Sequence, residues 1–249
     1  MKKFHTQMWI LILILAADII LAVHLAGTAA LAFFPEGSGR ELFAGSGHLP
    51  ASGKAEHSSE DSSKKTEFLA LTFDDGPHPV WTKKLLDGLR ERGVKASFFL
   101  LGENIEGNEE LIRQMEEDGH LIGVHCYEHV NLTKTGLEEA VSQIQKTSKM
   151  IESVTGKAPA YIRPPYGKWN EELEESLQMT PVFWDIDTLD WKSQNSGSVL
   201  RVIQSNAGKH QIVLMHDIFS STVEAALAAI DTLREQGYTF VTVDELLID

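Results

Sequence analysis

From Glu67 to the C-terminus, short apolar runs alternate with amphipathic helical stretches, and that alternation leaves few architectures open. The pattern predicts strands at Phe68–Phe73, Ala96–Leu101, His120–His125, Ala160–Arg163, Val182–Ile186, Gln211–Met215 and Thr239–Val243. Helices are expected between them, over Val80–Arg92, Asn108–Asp118, Gly136–Val154, Asn170–Gln178, Ser198–Ala207 and Thr222–Gln236. Gly93, Gly119, Gly156, Gly208 and Gly237 follow the helices as stop signals. Strand–helix repetition on this scale implies a parallel sheet, open or closed as a barrel. In both cases a site is expected at the carboxyl ends of the strands.

The polar residues gather at those ends. Strand one runs into Asp74-Asp75-Gly76-Pro77, and strand three into His125-Cys126-Tyr127-Glu128-His129. Strand four ends in Arg163-Pro164-Pro165-Tyr166-Gly167, strand five in Asp187 to Trp191, and strand six in Leu214-Met215-His216-Asp217. Adjacent carboxylates at the end of a buried strand raise each other's pKa, and burial raises it further, unless a cation or a basic side chain relieves them. An exposed Asp-Asp-Gly-Pro turn is the plainer alternative for that stretch alone. The single cysteine, Cys126, excludes a disulfide framework and a four-cysteine zinc module, so a metal site here has to be built from His and carboxylate. His125 and His129 are four apart and would point the same way on one helical turn. With Asp75 they make a two-His, one-Asp set with open positions, the pattern of a catalytic rather than a structural zinc. The same residues fit H-x-x-E-H, the inverted zinc-protease signature with Glu128 as base. That motif belongs in a long helix, whereas Leu121-Ile122-Gly123-Val124 reads as a strand, and it leaves Asp74, Arg163 and His216 without a role.

These motifs, in this order, resemble the polysaccharide deacetylases of the NodB-homology type, carbohydrate esterase family 4. The resemblance spans about Thr66 to the C-terminus and implies a distorted (β/α) barrel of about seven strands. It implies Asp74 as general base and Asp75, His125 and His129 as ligands of a divalent metal, zinc first, with cobalt or nickel as alternatives. Arg163 is then the partner of the base, and the Tyr166 backbone N–H part of an oxyanion hole. Asp190 orients His216, the general acid, while Trp191, Leu214 and Pro165 contact substrate. Cys126 departs from the family's Ser or Thr, whose hydroxyl supports the metal loop; a thiol is a weaker donor and acceptor and brings the prospect of oxidation. The implied activity is metal-dependent N-deacetylation of an N-acetylated glycan. Peptidoglycan N-acetylglucosamine is the first choice, with N-acetylmuramic acid, chitin-like oligomers, an exopolysaccharide, or a silent glycan-binding domain as alternatives.

The N-terminal region bears on where such an enzyme would work. Lys2 and Lys3 precede an apolar run from about Met8 to Phe34, long enough to span a bilayer with its N-terminus cytoplasmic. An uncleaved anchor over 1–34 is the preferred reading; cleavage near Ala30-Leu31-Ala32 would make it a signal peptide and the protein secreted. Residues 35–65 are rich in Gly, Ser, Glu, Lys and His and read as a flexible tether to a domain over 66–249. The expected location is therefore the cell membrane with the catalytic domain outside, facing a glycan. A formal charge of −14 argues against a nucleic-acid partner, because phosphate contacts need a basic face.

Overall fold

The computed structural model describes residues 67–248. The expected membrane segment and tether lie outside the described residues, and among the described residues no helix is long and apolar enough to cross a membrane.

Eight parallel strands form one sheet: β1 (Glu67–Asp74), β2 (Ser97–Leu101), β3 (Leu121–Cys126), β4 (Tyr161–Ile162), β5 (Thr180–Pro181), β6 (Ile186–Asp187), β7 (Gln211–His216) and β8 (Tyr238–Val241). Their order is β5-β4-β3-β2-β1-β7-β6, with β8 joining β1 beyond this path. The helices are α1 (Trp81–Arg92), α2 (Glu109–Glu117), α3 (Leu137–Thr155), α4 (Glu171–Ser176), α5 (Asp190–Ser193), α6 (Ser196–Asn206), α7 (Ser220–Glu235) and α8 (Val243–Ile248).

Alternation along the strands separates the two faces of the sheet. On β1, Leu69, Leu71 and Phe73 join the large core cluster with Leu85, Leu86 and Leu89 of α1 and Ala226, Ala229 and Ile230 of α7. Each fully buried Leu or Phe there contributes about 1.5–3 kcal/mol over its exposed state. The opposite face of β1 presents Ala70, Thr72 and Asp74, all buried, and Ala70 packs with Phe99 of β2 and Val182. Period two along β1 thus delivers Asp74 to the inner, concave side.

One expected strand divides. Of Val182–Ile186 only Ile186 is in a strand, at the start of β6; residues 182–185 link β5 to β6, the two edges of the sheet. The backbone here crosses from β4 to β7: Val182 N–H donates to Ile162 O at 2.7 Å and Asp185 N–H to Ile212 O at 2.9 Å. The barrel's edges are joined by a short stretch of chain instead of a hydrogen-bonded ladder, and we call this stretch the seam.

Smaller departures have local causes. The last strand ends at Val241, where Thr242 N–H donates to Glu245 at 3.0 Å, one half of a capping box, and α8 starts. Gly93, Gly119, Gly156 and Gly237 all adopt positive φ after helices as expected, but α6 stops at Ala207 and Gly208 does not. His78 builds the start of α1: its Nδ1 accepts from Val80 and Trp81 N–H at 3.1 and 3.2 Å.

Gly123 of β3 faces Phe99 across the ladder. A Cβ there would lie 2.6 Å from Phe99 Cδ1 and 3.0 Å from the Tyr161 carbonyl oxygen. Gly123→Val is therefore expected to destabilise by about 1–3 kcal/mol, the cost of overpacking a fixed ring and backbone. Urea unfolding measures it, and a loss below about 0.5 kcal/mol would mean that this contact is slack.

Candidate active site

Five strands (β1, β3, β4, β6 and β7) and the loops after them deliver the predicted residues to one cleft of about 470 Å³ at the carboxyl end of the sheet. Its lining includes Asp74, Asp75, His125, His129, Tyr166, Trp191, Leu214 and His216, all expected, and also Pro164, Trp184 and Asp187, which the sequence reading missed. Pro165 is not among them: it is buried, and its neighbour Pro164 faces the cleft.

Asp74 sits beside His216 in the β1–β7 register, and its Oδ1 accepts from Arg163 Nη1 at 3.0 Å. Both partners are buried. Burial pushes the Asp74 carboxyl above its ordinary range, and Arg163 and His216 only partly pull it back. Desolvation of a fully enclosed carboxyl outweighs the attraction of the guanidinium. Arg163 also donates to Thr72 Oγ1 and to the seam carbonyls of Val182 and Phe183 at 3.3 and 3.2 Å. Its guanidinium lies 4.4 Å from the centre of the Phe99 ring.

Asp75 (φ 71°) turns the chain so that its Oδ1 lies 3.5 Å from His125 Nε2 and 3.7 Å from His129 Nε2. The histidines meet without the helical turn expected of them. His125 belongs to β3, and His129 follows in a loop at φ 51°. That loop is held from α3, where Gln143 Oε1 accepts from Tyr127 and Glu128 N–H at 3.2 and 3.0 Å. Gln143 left no signal in the sequence beyond its place on a helix. Glu128 takes a hydrogen bond from Gln143 and does not line the cleft, which removes the protease reading. The thiol of Cys126 is buried, and the backbone N–H groups of Val130, His129 and Glu128 only partly offset the effect of that burial on its proton. Burial pushes it up to about 11, so it stays a protonated, unreactive loop support.

The donors fit a metal ion. His125 Nδ1 meets the Arg163 carbonyl at 2.6 Å, which fixes the proton on Nδ1 and turns the Nε2 lone pair toward Asp75. Burial holds this imidazole neutral, down to about 3. Asp75 Oδ1 is buried without a hydrogen-bond partner while two imidazole nitrogens face it, an arrangement that a cation satisfies. Neighbouring ligands of a tetrahedral zinc bound at about 2.1 Å lie about 3.4 Å apart, close to what Asp75 and the histidines already adopt.

On the other wall, His216 Nδ1 bonds Asp190 Oδ1 at 2.8 Å. Asp190 is fully buried and accepts three more hydrogen bonds: from His216 N–H at 2.7 Å, Thr222 Oγ1 at 2.7 Å and Trp191 N–H at 2.9 Å. Burial acts against charge on the imidazole, but Asp190 overrides it and raises His216 to about 9. Burial likewise works against the Asp190 charge, and the bonds from His216 and Thr222 bring that carboxyl below its ordinary range. Leu214 forms an apolar floor, and Trp191 and Tyr166 stand at the rim, 51% and 60% exposed.

Fold and site together define an α/β-barrel protein with a two-histidine, one-aspartate cluster flanked by a buried carboxylate and a carboxylate-held histidine. The family model for polysaccharide deacetylases matches residues 61–182. The peptidoglycan-N-acetylglucosamine deacetylase PgdA of Listeria monocytogenes is 40% identical over 199 residues, covering 80% of this chain and 42% of that protein. The peptidoglycan-N-acetylmuramic acid deacetylase PdaC of Bacillus subtilis is 38% identical over 180 residues, covering 72% of this chain and 38% of PdaC. The chain thus spans about two fifths of the length of these curated relatives. The solved structure of PdaC superposes with a TM-score of 0.72 at 37% identity, over 73% of this chain and 90% of that one. The chain belongs to the polysaccharide deacetylase family.

Proposed function

We propose that this protein hydrolyses the acetamide of N-acetylglucosamine residues in peptidoglycan, outside the membrane to which residues 1–34 anchor it. The observation that carries the reading is the buried, unpartnered Asp75 oxygen facing two histidines, with Asp74 and His216 opening into the same cleft. Asp75, His125 and His129 would hold the divalent metal, zinc by preference for this nitrogen–oxygen donor set. When bound, that ion supplies Lewis acidity toward the acetyl carbonyl and makes water a stronger acid.

The chain's own residues do the rest. Asp74 accepts the proton of the attacking water, a task suited to a carboxyl whose basicity burial has raised. The Tyr166 N–H stabilises the developing oxyanion. His216, protonated up to about pH 9, gives a proton to the departing amine as the C–N bond breaks, leaving acetate and a free amino sugar. Leu214 receives the acetyl methyl, and Trp191, Trp184 and Pro164 wall the sugar.

The test is acetate release by the full-length chain from N-acetylglucosamine oligomers and from cell-wall glycan, each with and without a chelator. Chelator-sensitive acetate, faster from cell-wall glycan, is the expected result; no acetate from either substrate with zinc bound would overturn it.

Asp190→Asn gives a pH signature. The activity of an acid with a raised pKa is present below that value and lost above it, so the alkaline limb of the rate profile is expected at about 9. Without the Asp190 charge, burial dominates, and the limb is expected to fall to the ordinary 6.5 or below. An unmoved limb in this variant would show that Asp190 does not hold the proton on His216.

A further inference from the structure

We propose that Asp217 is a positioning residue, whose buried carboxyl braces the Asp74–Asp75 turn against the end of β7 and so fixes both acids relative to His216. What turnover reports here rests on the deacetylase reading above; the geometry does not.

Asp217 directly follows His216 and has no exposed surface. Thr82 Oγ1, on the first turn of α1, donates to Asp217 Oδ2 and accepts from His78 N–H at 2.7 Å. A relay therefore runs from the turn through Thr82 to the residue beside the catalytic histidine. The carboxyl also lies flat against Gly76: a Cβ at that position would be 2.6 Å from both Asp217 oxygens. Only a glycine leaves room there, one residue beyond the metal-site acid. From the other side, Asn104 Nδ2 donates to Asp75 O at 2.8 Å and Leu101 N–H to Gly76 O at 3.0 Å. The turn is thus gripped between the end of β2 and the end of β7, and Asp217 is the β7 jaw.

The chemistry of the jaw argues against a purely structural filler. Asp217 Oδ1 is buried with no hydrogen-bond partner. Burying a carboxyl with half its acceptors unmet is costly, and an apolar side chain of similar size would stabilise the fold more cheaply. What the carboxyl adds is a directional bond that sets where the turn sits. A displacement of about 1 Å at reacting groups costs on the order of a hundredfold in rate, so a brace acts on the chemical step.

The experiment uses the full-length chain with Asp217→Ala, Asp217→Asn, Thr82→Val and the Thr82→Val/Asp217→Ala pair. For each, kcat and KM on N-acetylglucosamine oligomers, the Zn²⁺ dissociation constant and the thermal midpoint are measured. Asp217→Ala is expected to lower kcat by about 30-fold or more with KM within about twofold, and to weaken Zn²⁺ about tenfold. Asp217→Asn keeps the shape and an acceptor for Thr82, and is expected to restore kcat to within about threefold. Thr82→Val is expected to lose about three- to tenfold in kcat, and the pair to be no worse than Asp217→Ala alone, since both cut one relay.

Asp217→Ala with kcat and Zn²⁺ affinity within twofold of the parent would overturn the proposal, as would an Asn variant as impaired as the Ala one. Should Asp217→Ala not fold, a folded Thr82→Val with unchanged kcat and Zn²⁺ affinity overturns it equally. Should the parent release no acetate, the deacetylase reading fails by itself, and the Zn²⁺ affinities alone decide for or against the brace.

Discussion

Asp74→Asn is expected to reduce acetate release by about a thousandfold, within the range that a positioned base contributes. Asparagine can still accept from Arg163 Nη1 where Asp74 Oδ1 does at 3.0 Å, so the shape of the site survives while its proton acceptor does not. The change also leaves the Arg163 guanidinium, buried and hydrogen-bonded to neutral oxygens, without its counter-charge. Removing one partner of a buried pair costs about 3–5 kcal/mol, so the thermal midpoint should fall. Zn²⁺ affinity, by contrast, should stay near that of the parent, because Asp75 and both histidines are untouched. Steady-state kinetics with a Zn²⁺ titration separates these effects. Turnover within tenfold of the parent, at full metal occupancy, would sink the assignment of Asp74 as base.

His125→Ala should remove metal binding and activity together. Its Nε2 faces Asp75, and its Nδ1 is fixed by the Arg163 carbonyl at 2.6 Å. Loss of the outer partner of a ligand typically costs 10–100-fold in metal affinity, so loss of the ligand itself should cost more than about a hundredfold. Competition against a chromophoric chelator measures it. His120→Ala is the matched control: His120 is also a buried histidine, but its Nδ1 accepts from Ala96 N–H at 3.0 Å and it lies outside the cleft. The control should lose stability and keep its metal. Equal loss of Zn²⁺ in both variants would mean that the cluster of Asp75, His125 and His129 is not the binding site.

The strand ends were readable because chemistry and topology coincide in them. Polar residues that break an apolar run exactly once, at its end, announce the carboxyl edge of a parallel sheet, and Asp74, His125 and His216 were found that way. The convergence of His125 and His129 was foreseen but its cause was not, since a positive φ at a histidine has no signature in the sequence. The division of Val182–Ile186 was hidden for a different reason. Apolar composition marks the segment as buried, but not that it must span two edges of the sheet, and Pro181 before it was the only hint of interrupted pairing. Thr242 and Glu245, three apart before an apolar run, did carry a readable capping signal for α8. Gln143, Thr82 and Asp217 act across long sequence separations, and a single sequence read by itself cannot reveal such pairings.

The seam carries a lesson for judging distant members of the family. Where the ladder is missing, Arg163 supplies hydrogen bonds to the carbonyls of Val182 and Phe183, and the same side chain reaches Asp74 while its own carbonyl orients His125. It is a weld as well as a partner of the chemistry. A relative that had lost its base or its metal would still need that weld to keep its barrel shut, so selection for shape alone could preserve the arginine. Its presence is poor evidence of turnover. Asp74, as the arginine's counter-charge, shares that ambiguity; the diagnostic position is Asp75, whose buried oxygen has no hydrogen-bond partner within the barrel.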